Sequence, residues 1–235
     1  MDAFSRSGLL LGTEAMERIK TARVAVFGLG GVGGYVVEAL ARTGVGHLEL
    51  IDHDTISLTN INRQILATHS TLGMYKAEAA KQRVLDINPE AEVVARNEFF
   101  SPDTLEHFDF SRYTYVVDAV DTVTAKLALV TACQAAGVPI ISCMGTGNKL
   151  DPSKFQIADI SKTSVCPLAR IMRKECAKRG IRHLTVLFST EDPISPALAD
   201  EKPPEGRRAL PGSVAYVPSV AGLLMAGKII DDISK

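Results

Sequence analysis

Short apolar runs alternate with stretches of helical spacing from residue 24 to about residue 146. Val24-Ala25-Val26-Phe27 is apolar and rich in β-branched residues, and Gly28-Leu29-Gly30-Gly31-Val32-Gly33-Gly34 follows it at once, leading into a helical pattern that runs to Arg42. His47-Leu48-Glu49-Leu50-Ile51-Asp52 reads as the next strand, and its closing carboxylate comes 19 residues after Gly33. Strand, glycine turn, helix and strand make one βαβ unit. Further strands are predicted over 92–96, 115–119 and 138–143, with helices over 76–87 and 123–136. Such alternation implies a doubly wound α/β fold with a mostly parallel sheet covered on both faces.

After Gly145 the texture changes. Gly145-Thr146-Gly147 reads as a flexible turn, 155–160 as a strand, 166–179 as a basic helix and 184–188 as another strand. The stretch 193–211 is rich in proline and charge and reads as a mobile loop. Residues 219–233 are apolar at helical spacing, which predicts docking on the core or on a partner subunit. The expected organisation is a core with an N-terminal arm over 1–146 and a small C-terminal lobe for substrate or dimer contacts over 147–235, either as two units or as one continuous domain.

With 235 residues, of which 46% are hydrophobic, the chain is long enough to bury a substantial core. A net charge of -1 excludes a globally basic nucleic-acid binder, so any RNA contact must be regional. No apolar run approaches the roughly 18 residues that span a bilayer, and residues 1–11 show no basic region followed by a cleavage site. The expectation is a cytoplasmic protein with no membrane association. Cys133, Cys143, Cys166 and Cys176 form no CxxC pair, which predicts free thiols and no structural zinc.

In Gly28-x-Gly30-x-x-Gly33 the first two glycines let the backbone turn tightly against a phosphate, and the third lets helix and strand pack closely. N–H groups at the helix start then hold an anion. This pattern says only that a nucleotide binds, with nicotinamide, flavin and ATP all open. Asp52 fits each of them, because a carboxylate ending the second strand accepts hydrogen bonds from ribose hydroxyls.

The stretch Asp52-His53-Asp54-Thr55-Ile56-Ser57-Leu58-Thr59-Asn60-Ile61-Asn62-Arg63-Gln64 resembles the D-x-D-x-V-x-x-[ST]-N-x-x-R-Q signature of the ThiF/MoeB/ubiquitin-activating superfamily. The resemblance implies a Rossmann-like, ThiF-type fold that binds ATP and Mg²⁺ and adenylates a carboxylate. It implies a nucleotide site of Gly28, Gly30, Gly31, Gly33, Asp52, Asp54, Asn60, Arg63, Gln64 and Lys76, with Asp52 on the ribose and Asn60, Arg63, Gln64 and Lys76 toward the phosphates. Asp121, in Asp118-Ala119-Val120-Asp121-Thr122, matches an acidic residue associated with the magnesium ion; Thr122 departs from the asparagine many members carry. Taken singly, Arg63 and Lys76 read as solvated surface cations. Arg6 matches, more loosely, an arginine that reaches into the other subunit's site, which implies a homodimer and adds Arg6 to Arg63, Lys76 and Asp121 as catalytic candidates. Read on its own, Arg6 is equally a fraying terminal residue.

Phe4-Ser5-Arg6, Leu10-Leu11-Gly12, 39–46, Ile87-Asn88-Pro89-Glu90, 158–163 and Phe188-Ser189-Thr190-Glu191 resemble the branch of that superfamily that acts on threonylcarbamoyladenosine in tRNA. That resemblance implies adenylation of the threonyl carboxylate beside an anticodon, followed by cyclisation with loss of water. The alternative is activation of the C-terminus of a sulfur-carrier or ubiquitin-like protein, although the two CxxC zinc pairs frequent in such members are missing. A nicotinamide-dependent oxidoreductase is the third reading, and it leaves the Arg63-Gln64 loop without a task. Cys166, before Pro167 at a helix start, fits a transfer cysteine in the carrier reading and fits an incidental small hydrophobe otherwise. Arg170, Arg173, Lys174, Lys178, Arg179 and Arg182, with Lys162, form the densest cationic stretch, readable as an RNA contact or as a solvated helix face. The five histidines are scattered without partners and read as structural or exposed.

Overall fold

A computed structural model describes residues 3–195 and 211–235. Each apolar run of the sequence becomes a strand: β1 (Arg23–Phe27), β2 (His47–Ile51), β3 (Glu92–Arg96), β4 (Tyr115–Asp118), β5 (Ile140–Cys143), β6 (Phe155–Asp159) and β7 (Thr185–Ser189). They form a seven-stranded sheet in the order β3-β2-β1-β4-β5-β7-β6. Every neighbouring pair is parallel except β6 with β7. Residues 24–27 are at most 1% exposed, which is why β1 shows no polar alternation: both of its faces are covered. β7 and β6, from beyond residue 147, extend the same sheet.

The helices are α1 (Ser5–Leu11), α2 (Thr13–Thr21), α3 (Gly33–Thr43), α4 (Lys76–Ile87), α5 (Val123–Ala136), α6 (Pro167–Lys178) and α7 (Tyr216–Ser234). α4 and α5 occupy the predicted ranges. The strand expected from residue 138 begins at Ile140, because Gly137 ends α5 in the left-handed conformation and the Val138 N–H turns back to the Cys133 carbonyl. α7 starts earlier than expected, since Pro218 lies in its first turn, where a missing N–H costs nothing. Nothing in the sequence pattern announced α1 and α2: α1 buries no residue, and α2 buries only Ala15 and Ile19. Most of the expected loop over 193–211 lies outside the described residues.

From β1 the chain runs to β2 and β3 on one side, then returns to β4 on the other. At this reversal the connections that follow β1 and β4 lead to opposite sides of the sheet, and the crevice beyond their carboxyl ends is the place where ligands sit in such sheets. α7 closes one flank. Its Ala221, Met225, Ala226 and Ile229 are at most 1% exposed, and a side-chain carbon on Gly222 would lie 2.5 Å from the Val32 carbonyl. The start of α7 therefore rests backbone to backbone on the start of α3.

Candidate functional site

The glycine turn is set by two steric demands. Gly28 holds φ at +88°, and a side-chain carbon there would sit 2.6 Å from the Ala119 carbonyl just past β4. A carbon on Gly33 would lie 1.8 Å from the Gly28 carbonyl, so only glycine lets α3 start this close to β1. Gly33→Ala is therefore expected to lose about 1–3 kcal/mol or more of stability. Denaturant melts check it, and a variant as stable as wild type would show that the turn tolerates a shift.

Asp52, just past β2, is 9% exposed and has both oxygens engaged. Oδ2 accepts the Leu29 N–H at 2.7 Å and Oδ1 accepts the Asp54 N–H at 2.9 Å, so the carboxylate ties the glycine turn to the following loop. Each oxygen keeps a lone pair for a further donor. Lys76, the first residue of α4, is 5% exposed and places Nζ 2.6 Å from Asp54 Oδ2 and 4.0 Å from Asp52 Oδ1. Burial alone raises the Asp54 pKa, but the hydrogen bond and charge of Lys76 outweigh it, so the carboxyl sits below its ordinary value. A depressed aspartate stabilises the fold above its unfolded value of about 3.9, and that contribution disappears as pH falls through the folded value. Wild type is accordingly expected to melt above Asp54→Asn near neutrality, with the gap closing in acid. A gap that stays constant from about pH 5 to about pH 2 would sink the linkage.

Asn60 is buried and its Oδ1 accepts the Ser57 N–H at 3.1 Å, which fixes the loop ahead of Arg63. Arg63 donates from Nη1 to the Thr59 carbonyl and to Asn62 Oδ1, both at 2.9 Å. Desolvation lowers its pKa, and among the described residues no carboxylate pairs with it. Gln64 is 7% exposed, and its Oε1 is a buried acceptor with no hydrogen-bond partner among the described residues. An uncompensated cation and an orphaned acceptor are costly in a finished core and mark a surface built for a ligand.

These side chains converge on a cleft of about 670 Å³ at the sheet's switch point. Gly28, Gly30, Gly31, Asp52, Asp54, Asn60, Arg63, Gln64, Lys76 and Asp121 line it. Gly33 lies beneath the turn, and Arg6 stands exposed on α1; neither lines the cleft of its own chain. The opposite wall comes from 145–149, 166–168 and 211–213, a part of the site sequence reasoning saw only as a turn and a helix start. His53 and Phe99 meet edge to face at 4.7 Å on the rim. The oxygens and ring nitrogen of Asp52, His53 and Asp54 gather within 4.8 Å. Lys76 already supplies the positive charge there.

Residues 4–235 match the family model described as the ThiF family. The chain belongs to the ThiF family. Among curated relatives, the tRNA threonylcarbamoyladenosine dehydratase of Bacillus subtilis (strain 168) is 44% identical over 240 residues, which covers 99% of this chain and 94% of that one. A crystal structure of the E. coli tRNA N6-threonylcarbamoyladenosine dehydratase in complex with ATP aligns with a TM-score of 0.89 at 32% identity, covering 98% of this chain and 93% of that chain. The same E. coli protein in complex with AMP aligns with a TM-score of 0.88, at the same identity and coverage.

Beneath the cleft this ThiF-family chain holds a charge network that its sequence did not advertise. Asp118 and Lys126 are both 0% exposed. Lys126 Nζ donates to Asp118 Oδ1 at 3.0 Å and to the Cys143 carbonyl at 2.6 Å, while Ser142 Oγ donates to Asp118 Oδ2. The network locks the carboxyl ends of β4 and β5 to α5, directly under Ala119 and Asp121. A lysine inside the apolar run 123–136 was the available signal.

The four cysteines are free and buried. Burial pushes the Cys133 and Cys143 thiols up to about 12. Cys166 lines the cleft but is 2% exposed. On α6 of this ThiF-family chain, Arg173 is spent on the Thr163 carbonyl and hydroxyl, and Lys178 and Arg179 on Glu175. Arg170 and Lys174 are exposed, with no carboxylate paired to them among the described residues.

Proposed function

We propose that this chain is an ATP-dependent adenylating enzyme acting on the carboxylate of threonylcarbamoyladenosine in tRNA, which then cyclises with loss of water. The observation that carries the reading is the uncompensated Arg63 beside the orphaned Gln64, both against the glycine turn, in a chain alike over nearly its whole length to dehydratases of that name. Gly28, Gly30 and Gly31 bring backbone close to the phosphates, and Asp52 takes the ribose. Arg63, Lys76 and Asn60 meet the negative charge that grows on pyrophosphate as a carboxylate oxygen attacks the α-phosphorus. The carboxyl carbon is then electrophilic, and a nucleophile already on the nucleoside closes the ring at high effective molarity. The oxygen lost as water leaves on AMP.

Magnesium, when bound, neutralises the leaving pyrophosphate. Asp121, which lines the cleft, would hold it, at the position of the acidic residue that the family resemblance associates with magnesium. The ring closure asks no thiolate of the protein, which agrees with four buried cysteines; transfer to a carrier protein through Cys166 would need an exposed sulfur. Residues 147–149, 166–168 and 211–213 supply the substrate wall, with Arg170 and Lys174 toward the RNA backbone. α1 supports a homodimer: it buries none of its own residues, and Leu9 and Leu10 are 86% and 89% exposed beside Arg6. A second copy covering that face would carry Arg6 toward its partner's cleft.

The test is AMP and pyrophosphate formation with tRNA bearing the threonylcarbamoyl group, followed by nucleoside mass spectrometry. Loss of one water from the modified nucleoside is the expected result. AMP release that appears only with an added carrier protein would sink this reading and favour carrier activation.

A further inference from the structure

The wall of the cleft opposite the glycine turn holds a lysine that the ATP chemistry leaves unused. Lys149 is 4% exposed and lines the cleft. Its Nζ makes one hydrogen bond, 2.6 Å to the Glu191 carbonyl, and among the described residues no carboxylate pairs with it. An ammonium has three N–H groups, so two are unspent, and burying such a charge without an anion is costly. Glu191 offers Lys149 its main-chain carbonyl and no salt bridge; its carboxylate oxygens accept the N–H groups of Leu150 and Asp151 at 2.9 and 3.0 Å.

The backbone around Lys149 is clamped. Asn148 adopts φ +58°, a conformation asparagine tolerates, and exchanges two hydrogen bonds with Gly212: its N–H to the Gly212 carbonyl at 2.8 Å and its Oδ1 from the Gly212 N–H at 2.6 Å. The Asn148 carbonyl accepts the Ile194 N–H at 2.8 Å. A charge held this firmly and left without a counter-ion is preorganised for an anionic ligand.

Its place on the sheet says which anion. Lys149 follows β5 and bonds to a residue just past β7, whereas the nucleotide cradle follows β1 and β2. β7 lies three strands from β1, or roughly 14 Å at the usual strand spacing. The phosphates have Arg63 and Lys76 on their own side. The other reactant is also an anion, and two anions must meet for the carboxylate to attack the α-phosphorus. We propose that Lys149 anchors the substrate carboxylate, pairing with one of its oxygens while the other is aimed at the α-phosphorus. This rests on the adenylation reading above and assigns that reaction its acyl subsite.

The test measures binding of tRNA carrying the threonylcarbamoyl group, and of the same tRNA lacking it, in the presence of a non-hydrolysable ATP analogue. Wild type is expected to prefer the modified tRNA by roughly 10- to 100-fold, the worth of a charged hydrogen bond. Lys149→Gln keeps a donor for the Glu191 carbonyl but removes the charge, and the preference is expected to fall to near unity with analogue binding unchanged. Independently of any variant, modified tRNA whose threonyl carboxylate is a methyl ester should bind wild type no better than the unmodified tRNA. A variant that keeps the wild-type preference, an ester that binds as well as the acid, or a loss of analogue binding equal to the loss of tRNA binding would each overturn the assignment; the last would move Lys149 to the triphosphate. A wild type without preference, turning over ATP only with another carboxylate, would instead count against the tRNA reading itself.

Discussion

Arg63→Ala is expected to lower AMP formation by roughly 10²- to 10³-fold, the usual cost of removing one preorganised charge stabiliser. The cleft's charge balance singles this residue out. Lys76 spends its ammonium on Asp54 and lies near Asp52, so it arrives already compensated. Among the described residues Arg63 has only the Thr59 carbonyl and Asn62 as partners, and burial leaves its charge without an anion there. Pyrophosphate gains charge as the α-phosphorus is attacked, so the loss should fall more on kcat than on KM for ATP. Arg63→Lys should recover little, because a point charge cannot reproduce the guanidinium fork. The fold should hardly notice, since among the described residues the side chain bonds within its own loop. Initial rates across ATP concentrations, with melting curves alongside, decide it. A variant within threefold of wild type would remove Arg63 from the machinery.

The second large effect concerns stability. Lys126→Met leaves the Asp118 carboxylate buried with, among the described residues, only Ser142 and the Val120 N–H as partners. Breaking one side of a buried pair typically costs about 3–5 kcal/mol, which in a domain of this size lowers Tm by roughly 6–20 °C. The double variant Lys126→Met with Asp118→Leu should be more stable than the single one, because the uncompensated charge has gone. Thermal melts of both proteins test the pair. A single variant that melts within about 2 °C of wild type would mean that the charges contribute less than 1 kcal/mol.

The sheet and the nucleotide cradle were legible because period and glycine spacing are local properties of the chain. Strand β3 and helices α4 and α5 have the ends their patterns predict, and Asp52, Asp54, Asn60, Arg63, Gln64 and Lys76 line one cleft. What stayed hidden depends on what the chain meets in three dimensions. Lys126 reads as an exposed helix cation until β4 and β5 place Asp118 and the Cys143 carbonyl beside it. Lys149 looks like one more loop lysine; its burial comes from Gly212 and Glu191, which lie far along the sequence. The engagement of Asp52 by the Leu29 and Asp54 N–H groups is likewise a product of folding. α1 lacked a pattern because it has no core of its own to face.

The seating of α7 on the start of α3 also bears on when the protein becomes competent during synthesis. Pro218 lies where a side-chain carbon on Gly31 would be 3.2 Å from it, and Gly222 admits the Val32 carbonyl, so the turn that cradles phosphates is buttressed by residues almost two hundred positions downstream. Contacts of such separation form late. A ribosome that has not yet passed residue 216 therefore holds a glycine turn without its brace. A settled glycine turn then reports that translation has run through α7.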